Sequence, residues 1–237
     1  MLEVRHLAFS YRRRPVLADV SFVVSPGETV SVVGANGAGK TTLLRVLATL
    51  AVPDSGKVLT DGQDAFARPL HYRRQLGYLP ERPALYEDMS VREYLVYRAE
   101  LKGEPSRRIR RRVGEAAEIC RIGEDMMRRP IRALSAGQKK CVALADAMLL
   151  RPRVLLLDDF LAGLDRGMRE SAGEMLSAAA AFSAVIVTGH ELADLARWST
   201  RFLVLRDGVI GATLPSAGVE PGALLVRVDA ALKGVSV

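Results

Sequence analysis

An eight-residue stretch, Gly34-Ala-Asn-Gly-Ala-Gly-Lys-Thr41, constrains this 237-residue chain more than any other. It matches the pattern G-x-x-x-x-G-K-[S/T], in which a glycine-rich loop binds phosphate between a strand and a helix. An apolar β-branched run, Thr29–Val33, precedes it, and leucines and valines at helical spacing follow it up to Leu50. Strand, glycine loop and helix are the context that the pattern requires, so the sequence predicts a phosphate-binding loop.

The residues of this loop have separate expected roles. Glycines allow the backbone to turn its N–H groups inward, and the following helix adds the positive end of its dipole. Lys40 is expected to reach the β and γ phosphates, Thr41 to offer a hydroxyl to Mg²⁺, and Thr42 to lie on the α-phosphate side. The predicted ATP-binding positions are Gly34, Asn36, Gly37, Ala38, Gly39, Lys40, Thr41 and Thr42.

Composition indicates a folded protein without a membrane span. Hydrophobic residues make up 49% of the chain, enough for one large domain or two lobes. The longest apolar run, from Met175 to Val187, is shorter than the roughly 20 residues of a spanning helix. The N-terminal residues alternate like a strand rather than a leader peptide, so we expect a cytoplasmic protein. Cys120 and Cys141 form no C-x-x-C pair and predict neither a disulfide nor a metal cage.

The net charge of +7 is compatible with nucleic acid or anionic lipid as a partner. Arginine is spread along most of the chain, which favours an ordinary solvated surface. Between residues 101 and 132, ten basic residues stand against five acidic ones. This excess indicates either a solvated helix face or a face that contacts lipid head groups or acidic loops of a partner.

Strand and helix patterns divide the chain into a β part, a parallel core and a helical part. The predicted strands include Leu2–Ala8, Val16–Val24, Thr29–Val33, Gly56–Thr60, Val154–Asp159, which is apolar up to its two terminal carboxylates, and Ala184–Thr188. The first ones alternate as in an antiparallel sheet, and the last two are wholly apolar or nearly so, as in a buried parallel sheet. From about 87 to 135 the pattern is almost all helical, which predicts a helical lobe inserted between two strands of the core.

Polar side chains follow two of the core strands. In a phosphate-loop protein Asp158 faces Thr41 and can hold Mg²⁺, and Asp159 projects toward the γ-phosphate and an attacking water. His190 follows the neighbouring strand, where it is either a structural residue or a donor to the γ-phosphate. Its position beside the carboxylates favours the donor.

Other positions keep two interpretations from the residues alone. Tyr11, between the first two predicted strands, either stacks on adenine or covers the sheet as a loop tyrosine. Ser135 and Gln138 form an S-x-x-Q capping box at the start of a helix, with Gly137 in its first turn. Such an end can bind an anion, but plain capping is the simpler explanation.

In order and spacing these motifs resemble the nucleotide-binding subunit of ATP-binding cassette (ABC) transporters over about residues 2–215. The motifs are Tyr11, Gly34–Thr41, Leu134–Gln138, Val154–Asp159, Ala162–Asp165 and His190. The resemblance implies an α/β fold: a P-loop NTPase (RecA-like) parallel-sheet core, an N-terminal antiparallel β subdomain and an inserted helical lobe at about 87–140. A tail at 216–237 follows.

The resemblance also implies roles for the ambiguous positions. Tyr11 would be the adenine-stacking aromatic and His190 the switch histidine. Ser135, Gly137 and Gln138 would belong to the signature, which acts in trans on the γ-phosphate bound by a second subunit.

In this family two subunits, identical or different, close head to tail over two ATP molecules, and hydrolysis opens the dimer. Asp165 would lie in the dimer contact, and the helical lobe would dock on a membrane-spanning permease. The resemblance therefore implies an ATPase that uses ATP and Mg²⁺ and is held at the cytoplasmic face of the membrane by its partner. Nucleic acid is not an expected partner.

Three positions depart from the family pattern. The loop after Tyr78 usually carries a catalytic glutamine for the metal and the water, and here the position is Glu81. Leu-Pro-Glu also occurs in exporters with separate membrane subunits, which favours export. The first signature glycine is Ala136, and the usual Glu-Pro after the metal aspartate is Asp159-Phe160. The shorter carboxylate predicts slow hydrolysis.

Two other functions remain compatible with the residues. The charge of +7 is compatible with a soluble ABC-type ATPase of translation or DNA repair, although the chain shows neither a second cassette nor a long coiled-coil insertion. Asp159 is compatible with a regulatory cassette that binds ATP and hydrolyses it slowly. The sequence favours an ATPase that powers a separate permease, with export as the expected direction.

Overall fold

The computed structural model describes residues 1–216 and 218–234, and the strands in that part of the chain form one ten-stranded sheet. The strands are β1 (Leu2–Tyr11), β2 (Arg14–Val24), β3 (Thr29–Val33), β4 (Ser55–Thr60), β5 (Gln63–Asp64), β6 (Leu76–Leu79), β7 (Val154–Leu157), β8 (Ala184–Thr188), β9 (Arg201–Arg206) and β10 (Val209–Pro215). Their order is β5-β4-β1-β2-β10-β9-β3-β8-β7-β6. An antiparallel part, β5-β4-β1-β2, is joined through β10 to a parallel part, β9-β3-β8-β7-β6, as the predicted fold class requires.

Helices pack on both faces of the parallel part. They are α1 (Lys40–Leu47), α2 (Pro69–Arg73), α3 (Val91–Leu101), α4 (Ser106–Ile119), α5 (Glu124–Arg128), α6 (Ala136–Met148), α7 (Arg166–Ala180), α8 (Leu192–Trp198) and α9 (Pro221–Lys233). Helices α3 to α6 lie between β6 and β7, where the sequence predicts the helical lobe. Across the described residues, no helix is both long enough and apolar enough to span a membrane.

The central strands are buried on both faces, which explains their uninterrupted apolar sequence. Every residue of β3, β7 and β8 is buried. Side chains alternate along a strand, so Leu156 packs with α1 and the antiparallel strands, whereas Leu155 and Leu157 pack with the helical lobe and α7. The strands β3 and β8 have the bounds that the sequence predicts.

The strand order brings three loops to one edge of the sheet. Strand β8 pairs with β3 on one side and with β7 on the other, and all three are parallel. The residues that follow Val33, Leu157 and Thr188 therefore meet at the carboxyl edge, which is where ligands bind in open parallel sheets.

Two predictions from the local pattern differ from the structure. Tyr11 is the last residue of β1, paired with Arg14, rather than part of a loop between two strands. Helix α1 ends at Leu47, three residues before the predicted end, because Thr49 has a left-handed backbone with φ 56°.

A helix that the sequence did not predict, α9, lies in the predicted tail. Leu224 and Val228 are buried, α9 packs on α8, β9 and β10, and Glu220 caps it by accepting the Ala223 N–H at 2.9 Å. Apolar residues fill so many positions between 223 and 232 that they show no clear helical period. Residues 217 and 235–237 of the predicted tail lie outside the described residues.

Candidate nucleotide-binding site

A cavity of about 350 Å³ opens at the carboxyl edge, between the glycine loop and the ends of β7 and β8. Its lining residues are Val16, Asn36, Gly37, Gly39, Lys40, Thr41, Thr42, Glu81, Asp158, Asp159, Thr188 and His190. The structure thus brings together the loop, the two carboxylates, the histidine and the glutamate that the sequence singles out, from segments that lie far apart in the chain.

The glycine loop has a backbone that side chains would prevent. Gly37 and Gly39 have φ of 82° and 102°, in the left-handed region, and a Cβ on Gly34 would overlap the backbone oxygen of Leu205. Gly39 is also the N-cap of α1, and no side chain in the described part of the chain caps that helix. The first N–H groups of α1 therefore remain free for an anion in the cavity.

Lys40 extends over the loop from the first position of α1. Its ammonium donates to the carbonyl oxygens of Gly34 at 2.8 Å and Ala35 at 3.1 Å. An ammonium has three donors, so one remains for a phosphate oxygen. Burial lowers the pKa of Lys40, and the charges of Asp159 and Asp158 oppose that shift.

The carboxylate of Asp158 has one satisfied and one free oxygen. Its Oδ1 accepts from the Thr41 hydroxyl at 3.2 Å and from the Thr188 hydroxyl at 2.7 Å. Its Oδ2 is buried and has no hydrogen-bond partner among the described residues. A buried carboxylate oxygen without a partner is costly. Because Mg²⁺ takes oxygen ligands and usually one or two carboxylates, Thr41 and Asp158 fit the predicted metal site.

Thr188 is a site residue that sequence reasoning missed. Its hydroxyl donates to Asp158 Oδ1 and accepts the N–H of Asp159 at 2.9 Å, so it joins the ends of β7 and β8. The available signal was a polar residue that ends an apolar strand two positions before His190. Thr188 therefore orients the carboxylate that is predicted to hold the metal.

Asp159 lies in an unusual backbone conformation. Its φ is 50°, in the left-handed region, and its Oδ1 is buried with no partner within the described chain. Burial, followed by the charge of Glu191, raises the pKa of Asp159. The carboxylate lines the cavity where the sequence predicts a catalytic base, and that role remains a prediction.

The two other predicted catalytic residues line the rim of the cavity. His190 is exposed, and its backbone N–H donates to Glu191 Oε2 at 3.3 Å. Glu81 is also exposed, with Oε1 3.8 Å from Arg82 Nε. Both side chains are thus accessible to a ligand from solvent.

Tyr11 is not among the residues that line the cavity in the described structure. The residue is 42% exposed, and its ring packs edge-on to Phe9, with centroids 4.8 Å apart and an angle of 85° between planes. Val16, from the adjoining strand β2, lines the cavity instead. The stacking role of Tyr11 therefore remains a prediction.

The predicted signature residues also lie outside this cavity. Ser135 N-caps α6: its hydroxyl accepts the Gln138 N–H at 3.2 Å, and its own N–H donates to the Gln138 side chain at 3.1 Å. Gly137 is buried where an added Cβ would overlap the sulfur of Met168. The capping box is confirmed, and any contact with a nucleotide would require a second molecule.

Comparison with known proteins gives one consistent result. The family model described as "ABC transporter" matches residues 17–162. The chain is 34% identical over 210 residues to the uncharacterized ABC transporter ATP-binding protein YxlF of Bacillus subtilis. This alignment covers 89% of the chain and 69% of YxlF. It is 32% identical to the spermidine/putrescine import ATP-binding protein PotA of Haemophilus influenzae, over 89% of this chain and 56% of PotA.

Among solved structures, one titled "Structure of ATP binding subunit of ABC transporter" superposes with a TM-score of 0.83 and 30% identity. The match covers 97% of this chain and 99% of that one. Similarity to that structure thus extends over both the sheet and the helical lobe.

Proposed function

The chain belongs to the ABC transporter family and is an ABC ATPase, and from this premise we propose that it binds ATP with Mg²⁺, dimerises on it and powers a separate membrane permease. One observation carries the proposal. The start of α1, which no side chain of the described residues caps, the Lys40 side chain and the Asp158 carboxylate, whose Oδ2 has no partner among those residues, line one cavity. That combination suits a phosphate chain with a divalent cation.

Each side chain then has a defined task. The N–H groups of α1 and Lys40 bind the phosphates, and Asp158 and Thr41 hold Mg²⁺. When bound, the cation neutralises charge on the β and γ phosphates. Asp159 orients the attacking water and accepts its proton, and His190 donates to the γ-phosphate.

The position of the signature supports a second copy as part of the site. Ser135, Gly137 and Gln138 lie at the start of α6 and do not line the described cavity of their own chain. In the proposed dimer each chain contributes its phosphate loop to one ATP and its α6 start to the other. A single chain would bind ATP without hydrolysing it efficiently.

Four exposed apolar or aromatic residues, Leu70, Tyr86, Tyr97 and Leu101, support docking of a permease at the helical lobe and the neighbouring α2. The rings of Tyr86 and Tyr97 lie 5.7 Å apart, and Leu101 follows Tyr97 by one turn of α3. Leu101 and Leu70, both exposed, line a groove together with His71, Arg73, Arg74 and Lys102. A cytoplasmic segment of the permease with apolar and acidic side chains suits this groove.

Export is not part of this proposal. The compared relative whose name states a direction, PotA, is an import ATP-binding protein, so the expectation of export gains no support. The alternative of a soluble ATPase of translation or DNA repair gains none from the matched relatives. A slow regulatory cassette remains the second candidate, because Asp159 stands where the family pattern has glutamate.

The direct test is hydrolysis by the purified full chain. We expect Mg²⁺-dependent release of phosphate from ATP that rises more than linearly with protein concentration, since two chains form each site. Removal of Mg²⁺ with EDTA is expected to stop it. A chain that neither binds nor hydrolyses ATP would contradict the proposal.

A second experiment tests the partner. Charge reversal at Arg107, Arg108 and Arg111, all exposed on α4, is expected to weaken association with the permease and to leave ATP binding unchanged. The control reverses three exposed cations outside both the lobe and the groove: Arg5, Lys57 and Arg197. An equal loss of association in both variants would contradict docking through the lobe.

A further inference from the structure

Lys140, in the second turn of α6, contacts the loop that follows the β7 carboxylates. Its ammonium donates to the carbonyl oxygens of Asp159 at 3.3 Å, Phe160 at 3.1 Å and Ala162. All three donors of the ammonium are therefore directed at one short loop. The side chain does not line the cavity, so its hydrogen bonds reach the site through this backbone, while its charge lowers the pKa of the Asp159 carboxylate.

The backbone of Asp159 is consequently held at both ends. Its N–H donates to the Thr188 hydroxyl at 2.9 Å, and its carbonyl accepts from Lys140. Between these contacts φ is 50°, a conformation that non-glycine residues adopt at a cost and retain only when the surroundings hold them. The buried Oδ1 of the carboxylate has no hydrogen-bond partner among the described residues, so no such bond to this oxygen fixes the side chain.

We propose that Lys140 is a positioning residue that holds the 159–162 loop and so determines where the Asp159 carboxylate lies for hydrolysis. This inference rests on the proposed function. An aspartate is one methylene shorter than the glutamate of the family pattern, so its reach depends more on where its backbone is held. A displacement of about 1 Å at a reacting group can cost roughly a hundredfold in rate.

The position of Lys140 also links the loop to the signature. Ser135 caps the same helix five residues earlier, a distance of about 7.5 Å along the axis at about 1.5 Å per residue. A shift of α6 when a second subunit engages Ser135 is therefore transmitted by Lys140 to the loop that carries Asp159. In the proposed dimer, α6 of each chain thus holds the Asp159 loop of its own chain through Lys140 and contacts the nucleotide bound by the other chain.

The neighbouring lysine provides a matched control. Lys139 lies on the same turn of α6, but its ammonium pairs with Glu87 at 2.6 Å, at the surface of the lobe. Replacing either lysine by methionine removes one charge at similar side-chain length. Only Lys140→Met removes donors from the loop after β7.

The experiment measures kcat, KM and ATP affinity for the full chain and four variants: Lys140→Met, Lys140→Gln, Lys140→Arg and Lys139→Met. We expect Lys140→Met to lower kcat about tenfold to a hundredfold with unchanged ATP affinity. Lys140→Arg, which keeps a cationic donor, is expected to restore most of the rate, and Lys139→Met to match the wild type. If Lys140→Met does not fold, Lys140→Gln is judged by the same criteria.

Hydrogen exchange provides a readout that does not depend on rate. Loss of the lysine is expected to speed amide exchange in residues 159–162 and to leave exchange in Val154–Leu157 unchanged. Unchanged kcat in the Lys140 variants, or a loss that Lys139→Met reproduces, would overturn the inference. These outcomes overturn the role of Lys140 alone, since the wild type still hydrolyses ATP. A wild type without hydrolysis would contradict the proposed function itself.

Discussion

Helices α1 and α6 begin in opposite ways, although the family resemblance implies that both N-termini face phosphate. Helix α1 follows Gly39 and has no side-chain cap from the described residues, and its start opens into the cavity. Helix α6 has a complete capping box between Ser135 and Gln138, and its start lies outside the cavity. One helix end is left open for a ligand, and the other is closed by its own side chains.

The difference indicates an order of events. Free N–H groups at a helix start favour an anion, so the α1 end is ready for phosphate in a single chain. A cap of the Ser135 kind contributes about 1 kcal/mol, so the α6 end is stable without a ligand. We therefore expect ATP to bind α1 first, and α6 of a second chain to engage it afterwards.

Lys40→Ala breaks the α1 side of this comparison and has the largest expected effect. It removes the cation that lies over the phosphate loop, and a hydrogen bond to a charged group contributes about 3 kcal/mol at most. ATP affinity is expected to fall by up to about a hundredfold, measured by calorimetry. Undiminished affinity would remove the basis of the proposed site.

Asp158→Ala separates metal binding from phosphate binding at the same helix end. It removes the free Oδ2 and leaves the glycine loop and Lys40 in place. ATP affinity without Mg²⁺ is expected to stay the same, while the increase caused by Mg²⁺ disappears. The titration is run in parallel with EDTA and with excess Mg²⁺. A variant that keeps the full Mg²⁺ effect would show that the metal is held elsewhere.

Asp159 is related to both helices. It lines the cavity at the start of α1, and Lys140 of α6 contacts its backbone. Asp159→Glu is expected to raise kcat about tenfold or more, since the longer side chain regains about 1.5 Å of reach, one C–C bond length. Its stability is expected to fall by roughly 1 kcal/mol, because glutamate accepts a left-handed φ less well than aspartate. Steady-state kinetics and thermal melting measure both.

Asp159→Asn is the companion variant, and it keeps the side-chain length and the tolerance for a φ of 50°. It is expected to leave a long-lived ATP-bound dimer, detected by gel filtration with ATP and Mg²⁺. If Asp159→Glu lowers kcat instead, the loop is adapted to the shorter side chain, and the prediction of slow hydrolysis is wrong.

Ser135→Ala tests the α6 side and has the smallest expected effect on a single chain. Loss of the cap is expected to cost about 1 kcal/mol of stability, to leave ATP binding by the monomer unchanged and to weaken the ATP-dependent dimer. The matched control is Ser90→Ala, since Ser90 forms the same capping box with Glu93 at the start of α3. Equal loss of dimer in both variants would show that capping alone matters.

Much of the local structure could be read from the chain. The bounds of Thr29–Val33 and Ala184–Thr188 are confirmed because buried parallel strands are continuous apolar runs. The capping box at Ser135 is confirmed because its partner, Gln138, lies three residues away. Helix α9 was missed because it carries apolar residues at nearly every position, and a period cannot be seen in such a run.

The sequence by itself determined the phosphate loop, since its strand, glycine turn and helix are consecutive and their chemistry is local. The sequence also predicted that Asp158 faces Thr41, but only the tertiary structure decided which groups hold the two carboxylates. Asp158 and Thr188 are 30 residues apart, and Lys140 and Asp159 are 19 apart. Thr188 and Lys140 have their roles because parallel strands bring a hydroxyl against Asp158 and a packed helix brings an ammonium against the 159–162 loop. No local pattern encodes such contacts.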